Sequence, residues 1–259
     1  MATVREIEQS LFSWAPRESA MDWDNVGHLV GDPEQEVERI VVALDITERV
    51  VQEAISCGAQ LIVSHHPVMN VRWHEHEMQT LRPDTRLGGL ITMLVKNDIS
   101  AICMHTNLDA AEGGVNDCLA QRLGLAGLTA LNDEKIGRIG TLSCEKGLEE
   151  FLRDVIKLLG CGGLRYRDGG RYVHRVAVGG GACGSYIPQA IAQGCDTFVT
   201  SDLRYNDFLD TCGMNLIDAG HFPTENVVCP AVKAHLEKHF PEIQTVISAS
   251  HHDVIKYYL

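Results

Sequence analysis

The chain lacks a surplus of positive charge. Its 22 Lys and Arg residues are outnumbered by 35 Asp and Glu residues, and the formal net charge is −13. Because an extended grip on nucleic acid needs a Lys and Arg face that neutralises phosphates, this balance argues against a nucleic-acid-binding surface. A small anionic substrate stays compatible with the charge, since bound cations supply positive charge locally.

Segments typical of targeting or membrane insertion are also missing. Residues 1–6 carry mixed charge and lack the basic start and apolar stretch of a signal peptide. No segment approaches the run of about 18 apolar residues that a membrane-spanning helix needs. We therefore expect a cytoplasmic protein that does not span a membrane.

Paired cysteines are absent as well. The nine cysteines are scattered and form no Cys-x-x-Cys pair. This pattern indicates reduced, mostly buried thiols, and it argues against a disulfide framework or a zinc ribbon. The length of 259 residues, with 45% hydrophobic and 22% charged residues, is typical of one large or two small globular domains.

Short apolar runs alternate with amphipathic stretches along most of the chain. Continuously apolar strands separated by helices predict mostly parallel sheets that are covered on both faces, and so an α/β fold. We predict two α/β lobes, residues 1–128 and residues 129–259. The predicted strands are residues 39–45, 60–63, 99–104, 175–178, 197–200 and 215–219.

Three packets of polar residues directly follow predicted strands. Since ligands gather at the carboxyl ends of strands in open α/β sheets, we expect the packets to converge. Imidazole suits zinc, iron, nickel and manganese, and carboxylate suits harder ions, so six such donors are enough for two metals. The sequence therefore predicts a dinuclear metal site. The packets contribute His65 and His66, then His105 and Asp109, and finally His221 and Glu225.

Each packet also has a purely structural interpretation. A His-His pair at a strand end is often only polar surface. His105 could orient Asp109 instead of binding a metal. Asp109 could cap a helix that begins near Gly113. Glu225, predicted in the first turn of a last helix over residues 225–239 with Thr224 as its cap, could simply favour the helix dipole.

Each of the other candidate groups has a functional and a structural interpretation. The segment with Arg72 and Trp73 could line a pocket, where Arg would bind phosphate and Trp would contact the face of a base, or it could be an exposed loop. Glycines between a strand and a helix could cradle an anion or allow tight packing. Histidines of the tail could be an extra ligand arm or exposed, and two early acidic residues could orient ligands or cap turns. These candidates are Arg72, Trp73, His74 and His76; Gly179, Gly180, Gly181 and Gly184; His251 and His252; and Asp24 and Asp45.

Six motifs in order, spread over about residues 5 to 247, resemble the GTP cyclohydrolase 1 type 2 homologue family of NGG1-interacting-factor-like proteins. The resemblance implies a toroidal, usually hexameric protein with a dinuclear metal centre, built as one family-wide unit of two lobes. The motifs are Asp-Asn-x-Gly (24–27), His-His-Pro (65–67), His-Thr-Asn-Leu-Asp (105–109), Gly-Gly-Val-Asn (113–116), Thr-x-Asp-Leu-Arg-Tyr (200–205) and Gly-His-Phe-x-Thr-Glu (220–225).

Carried over to this chain, the resemblance implies five metal ligands, His65, His66, Asp109, His221 and Glu225, with Glu225 as a bridge. His105 is implied as the catalytic acid or base, or as a further ligand.

The implied function is metal-dependent hydrolysis of a nucleotide or related heterocycle, with two divalent ions that are zinc, iron, manganese, nickel or magnesium. A non-catalytic metal-binding scaffold or regulator is one alternative, and a metal-dependent phosphoesterase is the other. The implied assembly is a homohexamer, and the expected partner is a small-molecule substrate.

Overall fold

The structure is a computed structural model that describes residues 2–69 and 80–258. The chain divides into two compact units. The first unit comprises Met1–Ala111 and Cys229–His252, and the second comprises Glu112–Val228 and Asp253–Leu259. The first unit is therefore discontinuous in sequence.

Helices and strands alternate in both units. The first unit begins with β1 (Ala2–Thr3), α1 (Val4–Trp14), β2 (Gly27–Val30), β3 (Glu36–Val37), β4 (Arg39–Ala43), α2 (Glu48–Cys57), β5 (Leu61–Ser64), α3 (Arg86–Lys96), β6 (Ser100–Cys103) and α4 (Thr106–Ala110). The second unit contains α5 (Val115–Arg122), β7 (Ala126–Ala130), β8 (Arg138–Lys146), α6 (Leu148–Leu159), β9 (Arg165–Arg167), β10 (Val173–Val178), α7 (Ile187–Ala192), β11 (Thr197–Thr200), α8 (Tyr205–Asp210), β12 (Asn215–Asp218) and α9 (His221–Glu225). The first unit is completed by α10 (Cys229–His239) and β13 (Gln244–Ile247). Among the described residues, no helix is both long and apolar enough to cross a membrane.

The main sheet of the first unit has the strand order β13-β4-β5-β6-β2. All neighbours are parallel except β2, which is antiparallel to β6. The register places Ala43 opposite Ser64 and Ser64 opposite Cys103. Because these three strands end level with one another, the residues that follow them emerge side by side at one edge of the sheet.

Helix α2 shows how local sequence sets the elements of this unit. The side chain of Thr47 accepts a hydrogen bond from the backbone N–H of Val50, and Gly58 ends the helix in the left-handed conformation with φ 70°. Val50, Val51 and Ala54 are buried on one face and belong to the core beneath the sheet. Each fully buried valine stabilises such a core by about 1.5–3 kcal/mol.

The sheet of the second unit has the order β7-β8-β10-β11-β12-β9. Strands β10, β11 and β12 are parallel, and the outer pairings are antiparallel. The α/β fold is confirmed, with a mostly parallel sheet in the first unit and a mixed one in the second. Strand β8 is exposed over residues 143–145, so it lacks the continuous apolar run by which buried parallel strands are recognised.

The division into units differs from the predicted lobes of residues 1–128 and 129–259. Helix α5 and strand β7 belong to the second unit, where Leu119 and Leu123 lie in one core with Phe151. Strand β13 belongs to the first unit because it pairs in parallel with β4, with Val246 opposite Val41.

Candidate metal centre

Three of the predicted histidines lie together at the carboxyl edge of the first unit's sheet. His65 and His66 follow β5 directly, and His105 follows β6 after one intervening residue. One ring nitrogen from each lies within 4.8 Å of the others, and the ring centroids are 5.0 to 5.6 Å apart. His65 is buried and the other two are half-buried. Three imidazoles at this spacing could hold a metal ion.

The orientation of the first two imidazoles is set by oxygen acceptors. The Nδ1 atom of His65 donates to the carbonyl oxygen of Met104 at 2.8 Å. The Nδ1 atom of His66 donates to Oδ1 of Asp45, also at 2.8 Å. Because these oxygens accept, each Nδ1 carries a proton, which leaves Nε2 as the nitrogen that can bind a metal ion.

The third imidazole is held by a buried carboxylate. The Nδ1 atom of His105 lies 2.9 and 3.0 Å from the two oxygens of Asp24, whose side chain is 0% exposed. The backbone N–H of Thr106 donates to the same carboxylate at 3.0 Å. Burial raises the pKa of Asp24, but the hydrogen bonds and charge of His105 and the hydrogen bonds of Thr106 bring it down to about 2. Asp24 thus stays ionised and orients His105, which is one of its two predicted roles.

Asp109 lies in the short helix α4 that begins directly after His105. Its backbone N–H donates to the carbonyl oxygen of His105 at 3.0 Å. Its Oδ1 atom lies 3.7 Å from Nε2 of His65, and the side chain is nearly buried. Helix α5 begins at Val115, and the residue before it, Gly114, has no side chain that could cap the helix. One helical turn therefore brings a carboxylate next to a cluster of imidazoles.

In the second unit, His221 and Glu225 are the first and last residues of α9. Nε2 of His221 lies 3.0 Å from Oε2 of Glu225, and Nδ1 donates to Oδ2 of Asp202 at 2.6 Å. Burial lowers the pKa of His221, but the hydrogen bonds and charges of Asp202 and Glu225 outweigh it and raise the pKa to about 10. Without a bound cation, His221 therefore stays protonated on both ring nitrogens, and its imidazolium ring lies between two carboxylates.

The predicted helix over residues 225–239 is corrected by the structure. Gly220, with φ 86°, starts α9 one turn earlier, and a 3-10 turn, Asn226–Val228, separates α9 from α10. The hydroxyl of Thr224 donates to the carbonyl oxygens of Gly220 and His221 at 2.9 Å and does not cap a helix. Since Glu225 ends α9, the first-turn dipole does not explain it.

The glycine-rich segment after β10 lies against this helix. The backbone N–H of Gly180 donates to Oδ1 of Asn116 at 2.9 Å, and that of Gly181 donates to Oγ1 of Thr224 at 3.0 Å. A Cβ atom on Gly181 would lie 2.0 Å from Oε1 of Glu225. These N–H groups hold protein side chains, so the segment serves close packing against Glu225.

Asp202 is a site residue that sequence reasoning did not select. It is the third residue of the Thr-x-Asp-Leu-Arg-Tyr motif over residues 200–205. Its backbone adopts φ 55°, a conformation that non-glycine residues rarely adopt. An acidic residue two positions after the predicted strand over residues 197–200 was the available signal, because the other packets occupy equivalent positions.

The remaining candidates are divided between the tail and a segment that is not described. His251 is half-buried, whereas His252 is exposed and its Nδ1 donates to the carbonyl oxygen of Ser250 at 2.9 Å. The segment with Arg72, Trp73, His74 and His76 lies outside the described residues.

Comparison with known proteins gives matches over nearly the whole chain. A family model described as Duf34/NIF3 (NGG1p interacting factor 3) matches residues 2–254. A Clostridium perfringens protein called GTP cyclohydrolase 1 type 2 homolog is 35% identical over 220 residues, which cover 82% of each chain. A Clostridium acetobutylicum protein of the same name is 33% identical over 266 residues, covering 98% of this chain and 97% of the relative. The crystal structure of a hypothetical protein from Staphylococcus aureus superimposes with a TM-score of 0.90 at 29% identity and covers 99% of both chains.

Proposed function

Because this chain belongs to the Duf34/NIF3 (NGG1p interacting factor 3) family, we propose that it is a dinuclear metal-dependent hydrolase of a nucleotide or related heterocycle. The observation that carries the proposal is the cluster of His65, His66 and His105, each with its Nδ1 atom held by an oxygen acceptor. The name of the curated relatives, GTP cyclohydrolase 1 type 2 homolog, supports a purine nucleotide as the first substrate to test.

The proposed ligands of the two divalent ions combine imidazole and carboxylate groups. Mixed donors of this kind accept zinc, iron, manganese, nickel or magnesium, and the metal that is available often decides. Hydrogen bonds that fix the tautomer of a ligating histidine are the usual second layer of such sites, and they are present for each proposed histidine ligand. The proposed ligands are His65, His66, Asp109, His221 and Glu225, with Glu225 shared by both ions.

His105 is the proposed catalytic acid and base. Bound divalent ions supply Lewis acidity and a nucleophile at neutral pH. Asp24 holds the Nδ1 proton of His105, so Nε2 is the atom that takes up or gives a proton. The ionised Asp24 carboxylate orients the imidazole for this transfer, as the buried acid of a catalytic triad does. In a ring-opening hydrolysis, His105 protonates the departing ring nitrogen.

The test combines elemental analysis with a turnover screen. Purified protein is analysed for bound metal and is assayed with GTP and other nucleotides for release of formate and of phosphate. We expect bound metal and formate release in the wild type and loss of both in His66→Ala. His174→Ala is the matched control, because His174 lies in β10 and is not one of the proposed metal ligands.

Three results would contradict the proposal in different ways. Phosphate release in place of formate would assign the site to a phosphoesterase. Bound metal without turnover of any nucleotide would favour a metal-binding scaffold or regulator. Turnover that survives His66→Ala would place the chemistry elsewhere.

We also propose that the chain forms a homohexamer, as the family resemblance implies. Light scattering at a physiological protein concentration measures the assembly directly. A mass of six chains is expected, and a monomer would contradict both the ring and a scaffold function that depends on it.

A further inference from the structure

Trp23 lies beside the imidazole of His105. The two ring centroids are 6.0 Å apart, and the ring planes meet at 75°. Trp23 is 39% exposed, although the side chain of the next residue, Asp24, is 0% exposed. An indole that stays accessible next to a cluster of polar donors is placed to contact a molecule bound at those donors.

The backbone on both sides of Trp23 is tied to the start of helix α4. The N–H of Met21 donates to Oγ1 of Thr106 at 2.9 Å, and the N–H of Asp24 donates to the carbonyl oxygen of Met21 at 2.9 Å. The Asp24 carboxylate in turn accepts from Thr106 and His105. Because these bonds fix the segment that carries Trp23, its indole can bind a ligand at a small cost in conformational entropy.

The contact between Trp23 and His105 is edge-to-face. Such a contact covers at most one face of the indole, whereas a stacked pair covers a face of both rings. An aromatic face next to polar donors is the arrangement by which proteins bind nucleobases, since every base offers a planar surface for stacking.

We propose that Trp23 is a specificity-determining residue of the candidate metal centre, where its indole stacks on the planar ring of a heterocyclic substrate. The inference rests on the proposed function and narrows it to substrates with an aromatic ring. A sugar phosphate without a base gains nothing from this residue.

Trp14 provides a matched control. It is also a tryptophan of the first unit, but its ring is stacked on His235 with centroids 5.0 Å apart and an interplanar angle of 18°. One face of that indole is therefore already covered by the protein. Replacement of Trp14 tests whether the loss of any tryptophan disturbs ligand binding.

The experiment measures equilibrium binding of guanosine 5′-monophosphate and of ribose 5-phosphate to the zinc-loaded full chain by calorimetry. For Trp23→Ala we expect binding of guanosine 5′-monophosphate about tenfold weaker or more, the usual effect of losing one stacking aromatic. Trp23→Phe retains most of the affinity, and Trp14→Phe binds like the wild type. Binding of ribose 5-phosphate and of zinc stays the same in all variants.

Several outcomes would overturn the inference. These are unchanged affinity for guanosine 5′-monophosphate in Trp23→Ala, an equal loss for both ligands, or no binding of the nucleotide to the wild type. If thermal unfolding shows that Trp23→Ala is not folded, Trp23→Leu replaces it, because leucine keeps an apolar side chain without an aromatic face.

Turnover separates this inference from the proposed function. Ring-dependent binding through Trp23 in a protein without hydrolysis would support the inference and overturn the hydrolase. Hydrolysis of GTP that is unaffected by Trp23→Ala would support the hydrolase and overturn the inference.

Discussion

The two units present their metal-ligand candidates in different ways. We call His65, His66, His105 and Asp109 the first-unit donor group, and His221 with Glu225 the second-unit donor pair. The first-unit donor group is rich in imidazole, and an oxygen acceptor holds Nδ1 of each ring. The second-unit donor pair has one imidazole, which lies between the carboxylates of Glu225 and Asp202.

This difference shows what each set must do to bind a cation. In the first-unit donor group the tautomers are already those of metal ligands. In the second-unit donor pair the pKa of His221 is raised to about 10, so a proton occupies Nε2, the ring nitrogen that faces Glu225. A cation at this pair must displace that proton, which makes its binding depend on pH.

The largest effect is expected from Gly181→Ala, which acts on the second-unit donor pair alone. A methyl group there would lie 2.0 Å from Oε1 of Glu225, on a backbone with φ 65°. We expect zinc affinity to fall by about 100-fold, as for the loss of a residue that orients a ligand. Zinc titration of the purified variant measures the change.

Gly194→Ala separates displacement of the carboxylate from backbone strain. Gly194 has φ 72°, and nothing lies within 4 Å of a Cβ atom placed there. This variant should lose only the 1–2 kcal/mol or so of stability that left-handed strain costs, with unchanged zinc affinity. Equal zinc affinities in the two variants would contradict the role given to the Gly181 contact.

A smaller effect is expected when the supporting carboxylates are neutralised. Asp24 is 0% exposed and Asp202 is 48% exposed, so solvent and salt screen the second far more. Asp24→Asn should weaken zinc binding toward the upper end of about 10–100-fold, and Asp202→Asn toward the lower end. Zinc titration of both variants at two salt concentrations checks this order. A larger loss of zinc affinity in Asp202→Asn would show that burial of the supporting carboxylate does not set the size of the effect.

The smallest expected effect is a pH dependence of stability in chelator-treated protein. The folded pKa of His221, about 10, lies above the ordinary histidine pKa of 6.5. The stability that the protonated His221 gives to the folded state is therefore fully present below pH 6.5 or so and is lost as the pH rises through about 10. Urea unfolding across this range should show a difference between wild type and His221→Gln that shrinks with increasing pH. A difference in unfolding free energy that stays constant with pH would contradict a His221 imidazolium held between the two carboxylates.

The strand ends that carry the candidate ligands could be predicted from the sequence. Continuous apolar runs lead to His65 and His105, and the structure places β5 and β6 there within one or two residues. The signal is strong because a buried parallel strand needs apolar residues on both faces and stops where polar residues begin.

Other features depend on contacts between distant parts of the chain. The five-residue helix α9 has no periodicity to read, and Thr224 turns its hydroxyl back to Gly220 instead of capping a helix. The left-handed conformation of Asp202, with φ 55°, is one that most aspartates do not adopt, so the residue type alone does not predict it. The pairing of β13 with β4 joins segments about 200 residues apart, so no local sequence pattern predicts it.

The count of divalent ions bound per chain tests the central claim most directly. Native mass spectrometry of zinc-titrated protein should show two ions on the wild type and on His174→Ala. Fewer ions are expected on His66→Ala and on Glu225→Ala, with the fold retained by circular dichroism. A folded wild-type chain that binds no zinc, or that binds two ions regardless of His66 and Glu225, would contradict the account.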